Sequence, residues 1–233
     1  MKSPLIVALD LPSAERAHEL VGQIGDLAGA FKIGKELFVR AGPDLVRRIR
    51  DGGVPVFLDL KFHDIPHTVA RAVTAAVQLG VRMLTVHASG GRAMLEAAEN
   101  AARETAARLN TEPPLVLGVT VLTSLDSDAL AGIGMTANVA RQVERLALLC
   151  VQAGLRGLVC SPLEVAALRQ ILPADIQLVT PGIRDASAPP DDQQRTLTAR
   201  EAMAAGANWL VIGRPIYAAA EPRRAAESIL ATL

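Results

Sequence analysis

The chain has 233 residues, long enough for a full α/β barrel in one domain, and half of them are hydrophobic, so a large core can be buried. Aromatics make up only 3%, so that core must be aliphatic. Lys plus Arg, at 24, equals Asp plus Glu, at 24, with no block of like charge, which argues against a nucleic-acid partner or a membrane surface.

A strand over Leu5–Asp10 leads into a helix capped by Ser13. The run from Leu5 to Leu9 is too short for a signal segment and meets Asp10 at once. A strand over Ala30–Gly34 precedes a helix with Pro43 in its first turn and Leu45, Val46 and Ile49 on its apolar stripe. Val54–Lys61 is followed by a helix over Ile65–Leu79. Met83–Ala88 is followed by Gly91–Leu109, where Leu95, Ala98 and Ala102 fall at helical spacing. Leu115–Thr120 then pairs with Asn138–Ala153, Gly157–Cys160 with Pro162–Leu172, Gln177–Pro181 with Thr198–Ala205, and Trp209–Arg214 with Glu221–Leu233. The strands are rich in Val, Ile and Leu and mostly continuous, as strands buried on both faces are. No apolar run approaches a transmembrane length.

Eight strand–helix units in strict succession predict a parallel sheet closed into a (β/α)8 TIM barrel, an α/β fold in a single domain over 1–233. The competing open sheet usually carries a GxGxxG turn after its first strand, and Asp10-Leu11-Pro12-Ser13 is not one. The segment Pro181–Arg195 is polar and longer than most connections after a strand, which suits a lid. Cys150 and Cys160 are too few for a disulfide framework and read as core thiols of a reduced, cytoplasmic chain.

Only four of the 24 basic residues are lysines: Lys2, Lys32, Lys35 and Lys61. A chain that otherwise uses arginine for generic charge invites a chemical reason for a lysine inside an apolar strand, because lysine can give up a proton and arginine effectively cannot. In such barrels active sites sit at the C-terminal ends of the strands. Asp10, Lys32, Asp59, Lys61 and Asp64 all fall at or near such ends, and Asp59 and Lys61, two apart, share one face with Phe57. Buried together, these charges must pair, and an alternating network would orient Lys61 and set a carboxylate beside whatever it touches. That pattern suits a reaction that makes a carbanion and then protonates it. A salt-bridge cluster closing the barrel mouth is the better account of any one of these residues; the set as a whole favours function.

A second signal lies at Gly213-Arg214, after strand eight, where these barrels commonly bind phosphate. Gly213 lets backbone N–H approach an oxyanion, and Arg214 can supply a charge-assisted fork, although an ordinary surface arginine is the plainer reading of the pair alone.

The run Asp59-Leu60-Lys61-Phe62-His63-Asp64-Ile65-Pro66-His67-Thr68 resembles D-x-K-x-x-D-I-P-x-T, the signature of the orotidine 5′-phosphate decarboxylase family. Val7-Ala8-Leu9-Asp10, Phe31-Lys32-Ile33-Gly34, Leu122-Thr123-Ser124, Thr180-Pro181-Gly182-Ile183-Arg184 and Val211-Ile212-Gly213-Arg214-Pro215 resemble its other blocks in the same order, across essentially the whole chain. The resemblance implies decarboxylation of orotidine 5′-monophosphate to uridine 5′-monophosphate, the last step of de novo pyrimidine biosynthesis, with no cofactor and no metal. It implies Lys61 as proton donor to C6 of the pyrimidine and Asp59 against the departing carboxylate. Asp10 and Lys32 would hold ribose hydroxyls, with Lys32 also in the charge network, and Thr123 the pyrimidine edge. Arg184, Gln193, Gly213 and Arg214 would form the phosphate end, closed over by the Pro181–Arg195 loop. Asp64, Ile65 and Thr68 would reach into a neighbouring subunit's site, making a homodimer.

His67 stands where the family often has Asn, and the doubled Gln193-Gln194 leaves the phosphate-binding glutamine ambiguous; Gln193, which follows Asp192, is preferred. The alternative within enzymes is a ketohexulosonate-phosphate decarboxylase or hexulose-phosphate synthase, relatives that use Mg2+. His63 and His87 near carboxylates raise that thought, but no HxH or ligand-dense spacing accompanies them. The alternative outside enzymes, a nucleotide-binding barrel, has a use for Gly213 and Arg214 and none for Lys61.

Overall fold

The computed structural model describes residues 3–184 and 196–233. Eight parallel strands close on themselves in sequence order: β1 Leu5–Ala8, β2 Ala30–Gly34, β3 Val56–Phe62, β4 Met83–His87, β5 Leu115–Val119, β6 Gly157–Val159, β7 Gln177–Thr180 and β8 Trp209–Ile212. The barrel is sealed by pairing of β1 with β8, Leu5 opposite Leu210 and Val7 opposite Ile212. Around it run α1 Ala14–Ile24, α2 Lys35–Asp51, α3 Pro66–Gln78, α4 Arg92–Leu109, α5 Ser127–Gly132, α6 Val139–Gln152, α7 Val165–Ile171, α8 Ala199–Ala204, α9 Arg214–Tyr217 and α10 Pro222–Leu230. The expected (β/α)8 barrel is the observed fold.

Strand alternation divides the apolar residues into two cores. Ile6, Ala30, Phe57, Met83, Leu117 and Val179 fill the barrel interior, while their neighbours Leu5, Val7, Phe31, Ile33, Val56, Leu58 and Leu84 pack outward under the helices. The interior positions set the parity of the mouth. Two residues beyond Ala30 on the same face is Lys32, two beyond Phe57 is Asp59, and two beyond Met83 is Thr85. Gly118 lies at a close approach on the outer face, where a Cβ would come within 2.3 Å of Cys150 Sγ. Cys150 and Cys160 are both buried free thiols, and burial pushes Cys150 up to about 12.

The structure corrects the sequence reading at several boundaries. The helix expected from Pro43 begins at Lys35, and Gly42, with φ 66°, breaks it before Pro43 restarts the second half. Strand eight stops at Ile212 rather than Arg214, because Gly213 caps a short helix that Arg214 opens with Pro215 in its first turn. Helix α5 was not expected. It is one and a half turns long, capped by Asp126, which accepts from the Ala129 N–H at 2.9 Å.

Candidate active site

At the C-terminal mouth a cavity of about 280 Å³ is lined by Ala8, Asp10, Lys32, Phe57, Asp59, Lys61, Val119, Val121, Leu122, Thr123, Val159, Cys160, Pro181, Arg184, Val211, Gly213, Arg214 and Tyr217. Every strand except β4 contributes to this wall directly or through the residues just after it. The floor is the top of the inner core.

Four charged side chains cross the cavity in alternating sign. Lys32 Nζ lies 3.0 Å from Asp10 Oδ1 and 3.6 Å from Asp59 Oδ2, and Lys61 Nζ lies 2.8 Å from Asp59 Oδ1. Asp59 is the enclosed member, with a side chain 12% exposed against 53% for Asp10. Burial works to raise the Asp59 carboxyl. The charges of Lys32 and then Lys61, with hydrogen bonds from Lys61 and Thr85, outweigh it and hold the carboxyl below the usual carboxylate range. Asp59 is therefore a fixed anion between two cations, with both oxygens engaged.

The local backbone accounts for this arrangement. Leu58 of β3 pairs with Leu84 of β4, and the next pair is Phe62 with Val86, so Asp59, Leu60 and Lys61 stand opposite Thr85 alone. This bulge adds two residues to β3, an even number, so Asp59 and Lys61 keep the face that Phe57 sets. Lys61 itself adopts φ 54°, one of two non-glycine residues in the left-handed region among those described.

Arg184, Gly213 and Arg214 line the same cavity, on the side formed by the ends of β7 and β8. A Cβ on Gly213 would fall 3.2 Å from the Tyr217 ring and 3.4 Å from Ala8 Cβ, so a side chain there would fill the space beside Asp10. Thr123 joins the wall from the segment after β5. Asp64, Ile65 and Thr68 do not line this cavity. All three are exposed, Ile65 at 66%, and Asp64 accepts from the Ile65 N–H at 2.6 Å. The expected count of three carboxylates with two ammoniums is thus two carboxylates within one chain. Gln193 and most of the Pro181–Arg195 segment lie outside the described residues.

His63 and His87 approach each other with ring centroids 5.4 Å apart. Burial, then the nearby His63, Lys61 and Lys35, push His87 down to about 4. Among the described residues no group of three or more His, Cys, Asp or Glu side chains comes together as a metal site.

The sequence model of the orotidine 5′-phosphate decarboxylase / HUMPS family matches residues 3–229. The chain belongs to this family. It is 53% identical over 232 residues to the orotidine 5′-phosphate decarboxylase of Nitrosococcus oceani, covering 100% of this chain and 98% of that one. It is 50% identical over 233 residues to the enzyme of the same name from Moorella thermoacetica, covering 100% of this chain and 92% of the relative. Among solved structures, the orotidine 5′-phosphate decarboxylase of Lactobacillus acidophilus superimposes with a TM-score of 0.87 at 37% identity, over 99% of this chain and 98% of that one.

Two polar residues, Tyr217 in the cavity wall and the buried Thr85 behind Asp59, escape a reading of sequence alone. Tyr217, one helical turn beyond Arg214, lines the cavity, and burial followed by the Asp10 charge pushes its hydroxyl up. Its place after strand eight was a usable signal. Thr85 was not legible locally, because its contacts with Asp59 and the Lys61 amide come from the register of β3 against β4.

Proposed function

We infer that this chain decarboxylates orotidine 5′-monophosphate to uridine 5′-monophosphate and CO2, and that its residues 1–233 act as a single catalytic domain. The observation that carries the reading is the Asp10–Lys32–Asp59–Lys61 chain of alternating charge, set in a cavity whose other side holds Arg184, Gly213 and Arg214. Full-length relatives with the same reaction in their names support the substrate.

In this reading the C6–carboxylate bond breaks heterolytically. CO2 leaves, and the electron pair stays on C6. With no covalent electron sink, the carbanion is stabilised by fixed charge, above all the Lys61 ammonium, which then donates its Nζ proton to C6 and recovers a proton from solvent. Asp59 sits against the departing carboxylate and keeps Lys61 aimed, a role suited by their 2.8 Å contact. Asp10 and Lys32 hold the ribose hydroxyls, Thr123 the pyrimidine edge, and Arg184, Gly213, Arg214 and Gln193 the phosphate. Phosphate binding remote from C6 supplies energy for assembling the reacting end.

Asp64, Ile65 and Thr68 complete the site of a second copy in a homodimer; their exposure, and that of the apolar Ile65 in particular, suits a surface that another subunit covers. Two buried free thiols suit a cytoplasmic enzyme, and among the described residues no helix is long and apolar enough to cross a membrane.

The test is conversion of orotidine 5′-monophosphate in excess EDTA, followed by pyrimidine absorbance with the product identified. Turnover unaffected by chelator supports this reading over the Mg2+-dependent sugar-phosphate chemistry of HUMPS-type relatives. No turnover by folded protein sinks it.

A further inference from the structure

We propose that Thr85 is a positioning residue for the decarboxylation: its one hydroxyl locks the β3 bulge and so sets both Asp59 and Lys61 in their working orientations. The proposal rests on the function inferred above.

The bulge creates a problem that Thr85 solves. Three residues of β3 face one of β4, so the ladder lapses where the two central charged side chains emerge. Thr85 is completely buried and stands at the gap, on the inner face above Met83. Its Oγ1 accepts from the Lys61 backbone N–H at 2.9 Å and donates to Asp59 Oδ1 at 3.0 Å. Lys61 Nζ donates to that same Oδ1 at 2.8 Å, so the three groups close a ring of hydrogen bonds. One side chain therefore satisfies the amide of a residue held at φ 54° and fixes the rotation of the carboxylate that aims the same residue's ammonium. A left-handed lysine persists only where its surroundings over-determine it, and the Thr85 hydroxyl is the group that does so on the β4 side. Valine has the same shape but cannot make either bond.

Replacing Thr85 by Val leaves the ribose and phosphate contacts intact and loosens only the reacting end. The expected effect is a kcat lowered about 10- to 100-fold, the range for hydrogen bonds to charged groups, with KM within about threefold. A role in packing alone would not move the pH profile. Asp59 is faced by Lys32 from β2, by Lys61 from its own strand, and by Thr85 and His87 from β4, with Asp10 acting through Lys32. Losing the Thr85 hydrogen bond removes one of the influences that lower the Asp59 carboxyl, so the acid limb of kcat moves to higher pH.

The experiment compares wild type, Thr85→Val, Thr85→Ser and Thr85→Ala in kcat, KM and the pH dependence of kcat. Ser, which keeps the hydroxyl, stays within about threefold of wild type; Val and Ala both fall. Should Val not fold, the Ser–Ala pair still isolates the hydroxyl. Hydrogen exchange at the Lys61 amide, read by NMR without substrate, accelerates in the hydroxyl-less variants. A Val variant with wild-type kcat and acid limb, or equal kcat in Ser and Ala, overturns the proposal. If the wild type itself does not turn over, the functional reading fails, and unchanged Lys61 exchange then separately refutes the Thr85 lock.

Discussion

Replacing Lys61 by Ala removes the one side chain that the proposed reaction requires twice, as a charge and as an acid. Its ammonium lies 2.8 Å from Asp59 Oδ1 on a side chain 24% exposed, so it acts in a setting closer to the protein interior than to bulk water. A unit charge about 4 Å from a developing carbanion is worth roughly 4 kcal/mol at an effective dielectric near 20, a factor of about 10³ in rate. General-acid delivery of the proton adds about 10² to 10⁴. The expected loss in kcat is thus roughly 10⁵- to 10⁷-fold. Arg184 and Arg214 line the same cavity from the segments after β7 and β8, whereas Lys61 comes from β3, so binding of uridine 5′-monophosphate is expected to weaken less than about tenfold. Single-turnover kinetics with calorimetric product binding separates the two quantities. A Lys61→Ala enzyme within 100-fold of wild type in kcat refutes the assignment of both roles to Lys61. A parallel collapse of product binding refutes the separation of the reacting end from the phosphate end.

Mixing Lys61→Ala protein with Asp64→Ala protein, each inactive alone, restores about a quarter of wild-type activity if Asp64 serves the partner subunit's site, because half the dimers are hybrids and each hybrid has one intact site. No recovery after demonstrated subunit exchange rules out the shared site. Arg214→Ala weakens uridine 5′-monophosphate about 10- to 100-fold and leaves uridine unchanged, as measured by calorimetry; equal loss for both rules out a phosphate contact. His87, pushed down to about 4, is neutral in the folded chain where the unfolded chain already binds a proton, so stability is full above about pH 6.5 and falls as pH drops towards 4. Because His87 is only part-buried, solvent screening leaves about 1 kcal/mol of this dependence. Urea unfolding at pH 7 and pH 5 should show that much less slope in His87→Gln than in wild type; an unchanged slope removes His87 as the cause.

Much of the barrel was legible because its determinants are local. The longer helices carry their own apolar stripes and the strands mostly continuous apolar runs, so the order of those elements follows without long-range information. Of the lysines, the two on strands, Lys32 and Lys61, line the cavity, whereas Lys35 is exposed at the start of α2. Boundaries at the mouth were less legible, since chain leaving a strand and chain entering a short helix carry similar residues, as Gly213-Arg214-Pro215 does.

The shared face of Asp59 and Lys61 illustrates a subtler limit. Alternation along an uninterrupted strand predicts that face, yet β3 is interrupted between the two residues' neighbours. The prediction survives because the bulge inserts an even number of residues; an odd insertion would have turned Lys61 out of the cavity under the same local pattern. What decides between those cases is the pairing of β3 with β4, and the side chain that meets the gap is Thr85, 24 positions beyond Lys61. A motif read along one strand therefore identifies which groups are available for the chemistry. Their orientation is set across strands, by a residue whose own surroundings in the sequence, Leu84 and Val86, are those of an ordinary buried strand.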